Sequence, residues 1–454
     1  MDHLQRKYGF WTATAMVVGI VIGSGVFFKA DDVLKASGGS LPTALLAWAI
    51  GGSIMIVTAY VFANIGARIE KINGVVDYFE EAYGEKGGYL VAWFMTFIYY
   101  PTLVAVLAWV SANYSIGLLG LEKGVWLLAS LYLIFFFLVN LLSPVLAGMW
   151  QVSATIIKLV PLGLVAVIGG ISGILSGQTV HSFVRSAEGV SEGGGLAVAT
   201  LATAFAYEGW IIATSINAEI KNAKKTLPKA LVTGTMIVAA VYMLYYLGIS
   251  GVLSNEQVIA AGDNAPVQVI SLIFGRIGGT LLTVFVVISC LGTLNGLIMG
   301  SVRGMFAIAM RGLGPRPEFF RAVNIRTNST LNSGILGFLL SSFWLMIWYG
   351  NFAGWWGSFM DISELPIAFL YVIYIAIYIW VIRSFTDLGP FARYGAPFFA
   401  GCGSLYIIWG AIQKDMFTHF FVITLAIASI GYVLMRQSSD RQVVNGGKKK
   451  PDYP

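Results

Sequence analysis

Long apolar segments that follow one another along the whole chain constrain its fold more than any other feature. A helix needs about 20 largely apolar residues to cross a membrane. Hydrophobic residues make up 57% of the 454 residues, and only 11% are charged. Soluble domains carry about 25% charged residues, so the sequence excludes a soluble enzyme, a nucleic-acid-binding protein and a disordered chain. It predicts an all-α integral membrane protein.

Twelve apolar segments are predicted to be transmembrane helices. They lie at 10–36, 41–66, 87–119, 125–142, 147–175, 194–216, 229–251, 277–310, 333–349, 357–384, 397–413 and 415–436. They divide the chain into an amino terminus (1–9), spans 1–5 (10–175), spans 6–10 (194–384), spans 11 and 12 (397–436) and a disordered tail (437–454).

The distribution of basic residues predicts the orientation. Of the 28 Lys and Arg residues, 21 fall on the side of the amino terminus, six fall on the other side, and Lys158 lies in the middle of span 5. The six include Lys29 and Lys35, near the end of span 1. Because loops rich in Lys and Arg stay in the cytoplasm, we expect both termini to be cytoplasmic in a multi-pass protein of the inner (plasma) membrane.

Two spans contain residues that break helices. Span 1 holds three glycines in the seven residues Gly19–Gly25, and each weakens a helix by about 1 kcal/mol relative to alanine. Span 6 holds Glu208 beside Gly209 in an otherwise apolar segment. An acid at membrane depth costs about 2.5 kcal/mol or more, so Glu208 is expected to face a cavity or a partner. Both spans are therefore predicted to be broken helices.

The two breaks are 185 residues apart, each in the first span of a block of five. A repeated block with an odd number of spans enters the membrane from opposite sides, which is the inverted repeat of many secondary transporters. Helix amino termini attract anions and carboxyl termini attract cations. The breaks therefore suit a zwitterion, with its carboxylate on the N–H groups of Ser24 and Gly25 and its ammonium on carbonyls of both breaks.

Lys158 is the one Lys or Arg in the middle of a predicted span. One interpretation is a fixed charge that bonds backbone carbonyls. The other is a substitute cation or proton carrier beside the broken first span, since a buried lysine can release its proton in the physiological range.

The motifs at these positions resemble those of the amino acid–polyamine–organocation superfamily, and within it the L-type amino acid transporters, over about residues 8–435. The resemblance rests on Gly19-Ile20-Val21-Ile22-Gly23-Ser24-Gly25-Val26-Phe27 and on Phe205-Ala206-Tyr207-Glu208-Gly209-Trp210, followed by Glu219-Ile220-Lys221-Asn222 and Leu227-Pro228-Lys229-Ala230. It implies twelve transmembrane helices, a five-plus-five inverted repeat with helices 1 and 6 broken, and two additional carboxyl-terminal helices. It also implies sodium-independent exchange of amino acids by alternating access.

The resemblance also implies the site residues. It places the substrate carboxylate on Ser24 and Gly25, and the ammonium near the carbonyls of Ile20, Phe205 and Tyr207. Lys158 matches a lysine that stands in the place of a sodium ion. The expected substrate-binding residues are Ile20, Ser24, Gly25, Phe205, Ala206, Tyr207, Glu208, Gly209, Tyr242 and Asn295. The expected coupling or gating residues are Lys158, Phe205 as an aromatic lid, and Ser289.

Small neutral amino acids such as alanine, serine and threonine are the favoured substrates. The alternatives are exchange of cationic amino acids through Glu208 and proton-coupled uptake. The chain has no nucleophile–base pair, metal cluster or phosphate loop, so neither enzymatic activity nor a cofactor or metal is expected, and its scattered basic residues do not suit nucleic acid. Animal light subunits carry a cysteine between spans 3 and 4, for the disulfide to a heavy subunit. The loop Gly120–Gly124 has none, so a monomer without a disulfide-linked heavy subunit is expected.

Overall fold

The fold is known from a computed structural model, which describes residues 9–23, 25–69, 73–121, 123–188, 190, 194–211, 220–324, 326–327 and 329–444. Within these ranges the protein is all-α, as predicted, and one isolated β-bridge joins Asn324 to Ser329. The helices of the first part of the chain are α1 (Phe10–Val21), α2 (Gly25–Phe28), α3 (Ala30–Ala36), α4 (Leu41–Gly66), α5 (Val75–Phe94), α6 (Tyr100–Leu119), α7 (Val125–Leu142), α8 (Pro144–Ile157), α9 (Leu159–Leu164) and α10 (Gly170–Ser176).

The second part of the chain is also helical. Its helices are α11 (Gln178–Val184), α12 (Gly195–Tyr207), α13 (Ala223–Ser250), α14 (Asn255–Ala261), α15 (Ala265–Met310), α16 (Pro317–Phe320), α17 (Leu331–Phe352), α18 (Leu365–Ser384), α19 (Ala396–Ile412) and α20 (Phe417–Val444). Single π-helical turns link α5 to α6 at Met95–Tyr99 and α9 to α10 at Val165–Gly169, and a third precedes α19 at Phe391–Gly395.

Ten helical segments of the described chain are long and apolar enough to cross a membrane. The apolar helices at the two predicted breaks, Phe10–Gly19 and Gly195–Tyr207, are shorter than this length. A half-helix is too short to span 30 Å of hydrocarbon alone, so their short length is what an interrupted span produces.

Three predicted span starts differ most from the helices. Helix α5 begins at Val75 rather than 87, and α15 begins at Ala265 rather than 277, because each has an additional segment that joins the span through a sharp turn at a glycine. Gly84 (φ 79°) and Gly275 (φ 72°) make these turns in a backbone region that favours glycine. The predicted span 357–384 instead starts late, at Leu365, because the aromatic residues before it lie in irregular structure.

Contacts of α13 with the first span fix the directions of the helices. Gly234 of α13 lies beside Val17, the Tyr242 hydroxyl reaches Val21, and the Tyr246 hydroxyl reaches Ala30, so α13 runs parallel to α1–α3. We call the end of the bundle where α1 begins and α15 ends the terminal face. The opposite end, with the α3–α4 loop and the α19–α20 turn, is the distal face.

Candidate functional site

The first break lies where the sequence predicts it. Helix α1 ends at Val21, Ile22 is extended (φ −65°, ψ 103°), and the helical path resumes at Gly25 as α2. The last carbonyls of a helix have no partner within that helix. Ser24, the predicted carboxylate ligand, lies outside the described residues, and of Ile20 the backbone alone is described.

The second break also lies where it was predicted. Helix α12 ends at Tyr207, Glu208 is extended (φ −72°, ψ 160°), and Gly209 follows with φ 105°. The carboxyl end of α12 therefore points into the interior, and the chain leaves it in a conformation that a residue with a side chain rarely adopts.

The two breaks touch each other through their backbones. A Cβ atom on Gly25 would lie 2.5 Å from Cα of Ala206, closer than any real contact. The hydroxyl of Tyr242, a fully buried residue, lies 3.2 Å from both the Val21 and the Ala206 carbonyl oxygens. Tyr242 therefore bridges the carboxyl ends of the two half-helices, although it is not part of the cavity wall described next.

A cavity of about 400 Å³ lies at the meeting point of the breaks. Among the predicted site residues its wall contains Gly25, Lys158, Phe205, Ala206, Glu208 and Gly209. It extends to residues 73–76, Arg303 and Ala307, which lie towards the terminal face. The cavity therefore extends from the breaks towards the terminal face, and Phe205 lies in its wall.

Lys158 occupies an interruption of the fifth predicted span. It lies between α8 and α9, three residues before Pro161. Proline has no N–H group to donate to the carbonyl of Ile157, so the helix is weakened here. The side chain of Lys158 is buried (2% exposed) and shares the cavity wall with Val21 and Gly23 of the first break and Thr293 of α15.

Glu208 faces the cavity and is held by one tyrosine. The hydroxyl of Tyr99, from the π-helical turn before α6, donates to Oε1 of Glu208 at 2.9 Å. The other carboxylate oxygen, Oε2, is buried and has no hydrogen-bond partner among the described residues.

Aromatic rings cover the cavity on its distal side. Phe205 packs edge-to-face on Phe28 with ring centroids 5.8 Å apart, and the Lys29 ammonium lies 5.7 Å from the Phe205 ring centroid. Phe205 thus lies between the cavity and the charged residues beyond it.

A buried ion cluster lies beyond this aromatic layer, at the distal face. Lys29 Nζ is 2.7 Å from Glu364 Oε1, 3.1 Å from Asp32 and 3.7 Å from Asp361. Lys414, in the α19–α20 turn, is 2.8 Å from Glu364 Oε2. The Lys29 side chain is 2% exposed and that of Glu364 is fully buried. The charge of Lys29 is therefore neutralised inside the protein.

The ion cluster also sets the protonation of Lys414. Burial alone would lower the pKa of this ammonium group, but the carboxylates of Glu364 and Asp361 outweigh burial and raise that pKa above its ordinary value. The cluster therefore joins α2–α3, the segment before α18 and the α19–α20 turn through charged groups.

A second group of ion pairs lies at the terminal face. Arg311, after α15, donates to Asp77 Oδ1 and Glu80 Oε2 of α5, each at 2.6 Å. These bonds hold the segment before Gly84 against the end of α15, beside the opening of the cavity.

Besides Tyr242, three predicted site residues lie off the cavity wall. The Tyr207 hydroxyl points towards α4 and donates to the Trp48 carbonyl at 3.0 Å. Asn295 is buried between α7 and α8, where it accepts from Asn140 and donates to the Ala147 carbonyl. The Ser289 hydroxyl lies 3.5 Å from the Gly23 carbonyl oxygen, so Ser289 contacts the first break from outside the cavity wall.

Sequence reasoning missed Tyr99, Thr293 and the Lys29 cluster. Tyr99 and Thr293 lie in apolar runs with no local feature that distinguishes them. The partners of Lys29 could not be predicted from the sequence, because Glu364 is 335 residues further along the chain. The scarcity of charged residues was the one available signal, since a lysine and an acid near the ends of apolar segments need partners.

A membrane-type helical bundle in which two interrupted helices meet at a central cavity defines the class of secondary transporters. The family model described as Amino acid permease matches residues 8–438. The chain therefore belongs to the amino acid permease family, within the amino acid–polyamine–organocation superfamily. Its relatives are permeases and transporters rather than enzymes.

Curated relatives agree with this membership, and a solved structure shares the fold. The chain is 29% identical to the Serine/threonine exchanger SteT of Bacillus subtilis (strain 168), over 94% of this chain and 96% of SteT. It is 30% identical to the human Large neutral amino acids transporter small subunit 2, over 68% of this chain and 58% of that subunit. The structure of MhsT in complex with L-phenylalanine matches with a TM-score of 0.58 at 14% identity, over 90% of this chain and all of MhsT. At that identity the match concerns the fold alone.

Proposed function

We propose that this permease exchanges small neutral L-amino acids, such as alanine, serine and threonine, across the bacterial plasma membrane without sodium. The observation that carries the proposal is the convergence of both helix breaks and Lys158 on one cavity wall. The name of SteT, a serine/threonine exchanger that aligns over nearly the whole chain, supports this substrate class.

The geometry of the breaks supports a zwitterionic substrate. The carboxyl ends of α1 and α12 meet beside the cavity, and their carbonyls carry partial negative charge that attracts an ammonium group. Gly25 N–H begins α2 on the same wall. In the proposal, Ser24 and Gly25 bind the carboxylate, and carbonyls near Ile20, Phe205 and Tyr207 bind the ammonium.

We also propose twelve spans, arranged as two inverted repeats at 10–175 and 194–384 followed by two helices at 397–436. The last residues of α1 and α12, Val21 and Tyr207, are 186 positions apart. The turns at Gly84 and Gly275 are 191 positions apart and fall at the same place in each block. Corresponding irregularities at nearly equal spacing support a repeat. The excess of basic residues at the terminal face supports cytoplasmic termini.

Lys158 is proposed to take the place of a coupling cation. Its ammonium group is buried on the wall that the first break shares with α15, where a fixed positive charge can hold these helices together through backbone carbonyls. An ammonium charge at this place would remove the need for a bound sodium ion. The permease is further proposed to act as a monomer without a disulfide-linked heavy subunit.

Counterflow in proteoliposomes tests the proposal. Purified protein is reconstituted, the vesicles are loaded with each of the twenty amino acids in turn, and uptake of labelled serine is measured with and without sodium and a pH gradient. We expect internal serine, threonine or alanine to accelerate uptake, with no effect of sodium. Uptake into empty vesicles that follows the pH gradient would instead establish proton-coupled transport.

The same panel decides between neutral and cationic substrates. Glu208 faces the cavity, but Lys158 and Arg303 lie on the same wall, so the wall carries more positive than negative charge. We therefore expect lysine and arginine to compete poorly with serine. Strong competition by lysine that disappears in Glu208→Gln would establish a cationic exchanger.

A further inference from the structure

We propose that Tyr99 and Glu208 form a polar subsite for the side-chain hydroxyl of the substrate, in which Tyr99 is a positioning residue for the Glu208 carboxylate. This inference rests on the proposed exchange of small amino acids and narrows its substrates to hydroxyl-bearing ones. The carboxylate of Glu208 would accept the hydrogen bond, and Tyr99 would act through Glu208.

The first step of the argument is the unused acceptor. Glu208 follows the last residue of α12 directly and lies on the cavity wall. Its Oε2 atom is buried without a hydrogen-bond partner among the described residues, and no Lys or Arg among those residues pairs with its carboxylate. A buried acceptor left without a donor is costly, so a ligand that brings a donor into the cavity gains a hydrogen bond.

The second step is the support for the other oxygen. Tyr99 is buried (1% exposed) and ends the π-helical turn Met95–Tyr99. The Thr102 hydroxyl lies 2.7 Å from the Ile98 carbonyl oxygen and 3.0 Å from the Tyr99 carbonyl oxygen, which stabilises the backbone at this turn. Turns of this kind often occur at functional sites. With Oε1 fixed by the Tyr99 hydroxyl at 2.9 Å, one oxygen remains for a ligand.

The third step is the choice of donor. The substrate ammonium is already assigned to the carbonyls at the breaks. A second cationic group would meet Lys158 and Arg303 on the same wall, whereas a hydroxyl group is neutral. A single free carboxylate oxygen beside the break therefore suits the hydroxyl of serine or threonine, which alanine lacks.

The test compares serine with alanine, which differ by this hydroxyl. Exchange and ligand-induced thermal stabilisation are measured with both amino acids for wild type, Glu208→Gln and Tyr99→Phe. We expect the preference of wild type for serine over alanine to fall about tenfold in Glu208→Gln, because a neutral amide replaces the charged carboxylate and makes a weaker hydrogen bond to the hydroxyl. In Tyr99→Phe we expect the same change of preference, smaller in size.

Tyr132→Phe is the matched control. It also removes one tyrosine hydroxyl, which lies off the cavity wall and donates to Ser115 Oγ over 2.8 Å. This variant should leave the preference unchanged. An unchanged preference in both Glu208→Gln and Tyr99→Phe would overturn the subsite, as would an equal loss for serine and alanine. Lysine binding that is lost in Glu208→Gln would overturn the assignment to a hydroxyl.

The two proposals fail in different ways. If wild type exchanges no amino acid, the proposed exchange is wrong, whereas the subsite is still judged by thermal stabilisation with serine against alanine. If wild type exchanges alanine and serine equally well, the exchange proposal stands and the subsite is refuted.

Discussion

Replacement of Lys29 by methionine should open the cavity towards the distal face. The lysine is buried and neutralises Glu364 and Asp361, so Lys29→Met leaves two buried carboxylates with Lys414 as their remaining cation. Removal of one partner from a buried ion pair costs about 3–5 kcal/mol. Separation of α2–α3 from α18 would hydrate these carboxylates and relieve that cost, so the open arrangement gains population.

Protonation limits the size of the effect. A carboxyl group with an ordinary pKa of about 4.3 can be protonated at pH 7 for about 3.7 kcal/mol, so the penalty at pH 7 is about 3–4 kcal/mol. This corresponds to a roughly hundred- to thousandfold shift of the population. At pH 5 the same protonation costs about 1 kcal/mol. The effect of Lys29→Met should therefore shrink strongly as the pH falls from 7 to 5.

The assay measures access to the cavity from each side. Leu297→Cys places a thiol on the cavity wall, in a background where Cys290 and Cys402 are replaced by alanine. A membrane-impermeant maleimide is applied to right-side-out cells and to inverted vesicles. Labelling from the distal side should rise sharply with Lys29→Met at pH 7 and much less at pH 5.

Two further variants control this experiment. Arg321→Met removes an ion pair with Glu318 in which both side chains are exposed, a loss worth about 0–1 kcal/mol, and should leave labelling unchanged. The double variant Lys29→Met/Glu364→Gln leaves Asp361 with Lys414 and should restore low distal labelling. Unchanged distal labelling in a thermally stable Lys29→Met protein at pH 7 would refute the argument that the cluster holds the distal face closed.

Three other changes test the site. Lys158→Ala should lower the exchange rate strongly while the melting temperature stays within a few degrees, and wild-type exchange rates in this variant would make the lysine purely structural. Gly25→Ala should abolish serine binding, since its Cβ would lie 2.5 Å from Ala206 Cα; Gly117→Ala, which has open space around its Cβ, should bind normally in the same thermal-shift assay. Tyr242→Phe should lower thermal stability by about 1 kcal/mol and slow exchange, because the hydroxyl no longer joins the two half-helices; equal rates in the variant and wild type would contradict this.

Local chemistry made the breaks and the membrane class predictable. Gly-Ser-Gly in span 1 and Glu208-Gly209 in span 6 weaken a helix wherever they occur, so their positions could be read without knowledge of their neighbours. The structure confirms both interruptions. It also gives a reason for glycine at position 25, because the backbone of Ala206 fills the space that a side chain there would need.

Features that depend on distant partners could not be predicted. Lys29 looked like one of several loop cations because Glu364 and Lys414 lie in other segments of the sequence. Tyr99 was missed because no residue near it in the sequence indicates its hydrogen bond to Glu208. Asn295 was expected at the substrate, and the structure places it between α7 and α8 because its amide finds partners there.

The backbone contact between Gly25 and Ala206 has an evolutionary consequence. Both positions already hold residues near the minimum size, so neither can be enlarged in exchange for a smaller residue at the other. Changes of substrate among descendants of this sequence should therefore avoid the crossing point of the two breaks and accumulate in the surrounding wall, at positions such as 99 and 208. The contact between the two breaks, where the ammonium and carboxylate groups of every amino acid would bind, is thereby separate from the wall residues. Those wall residues are free to change with the side chain of the substrate.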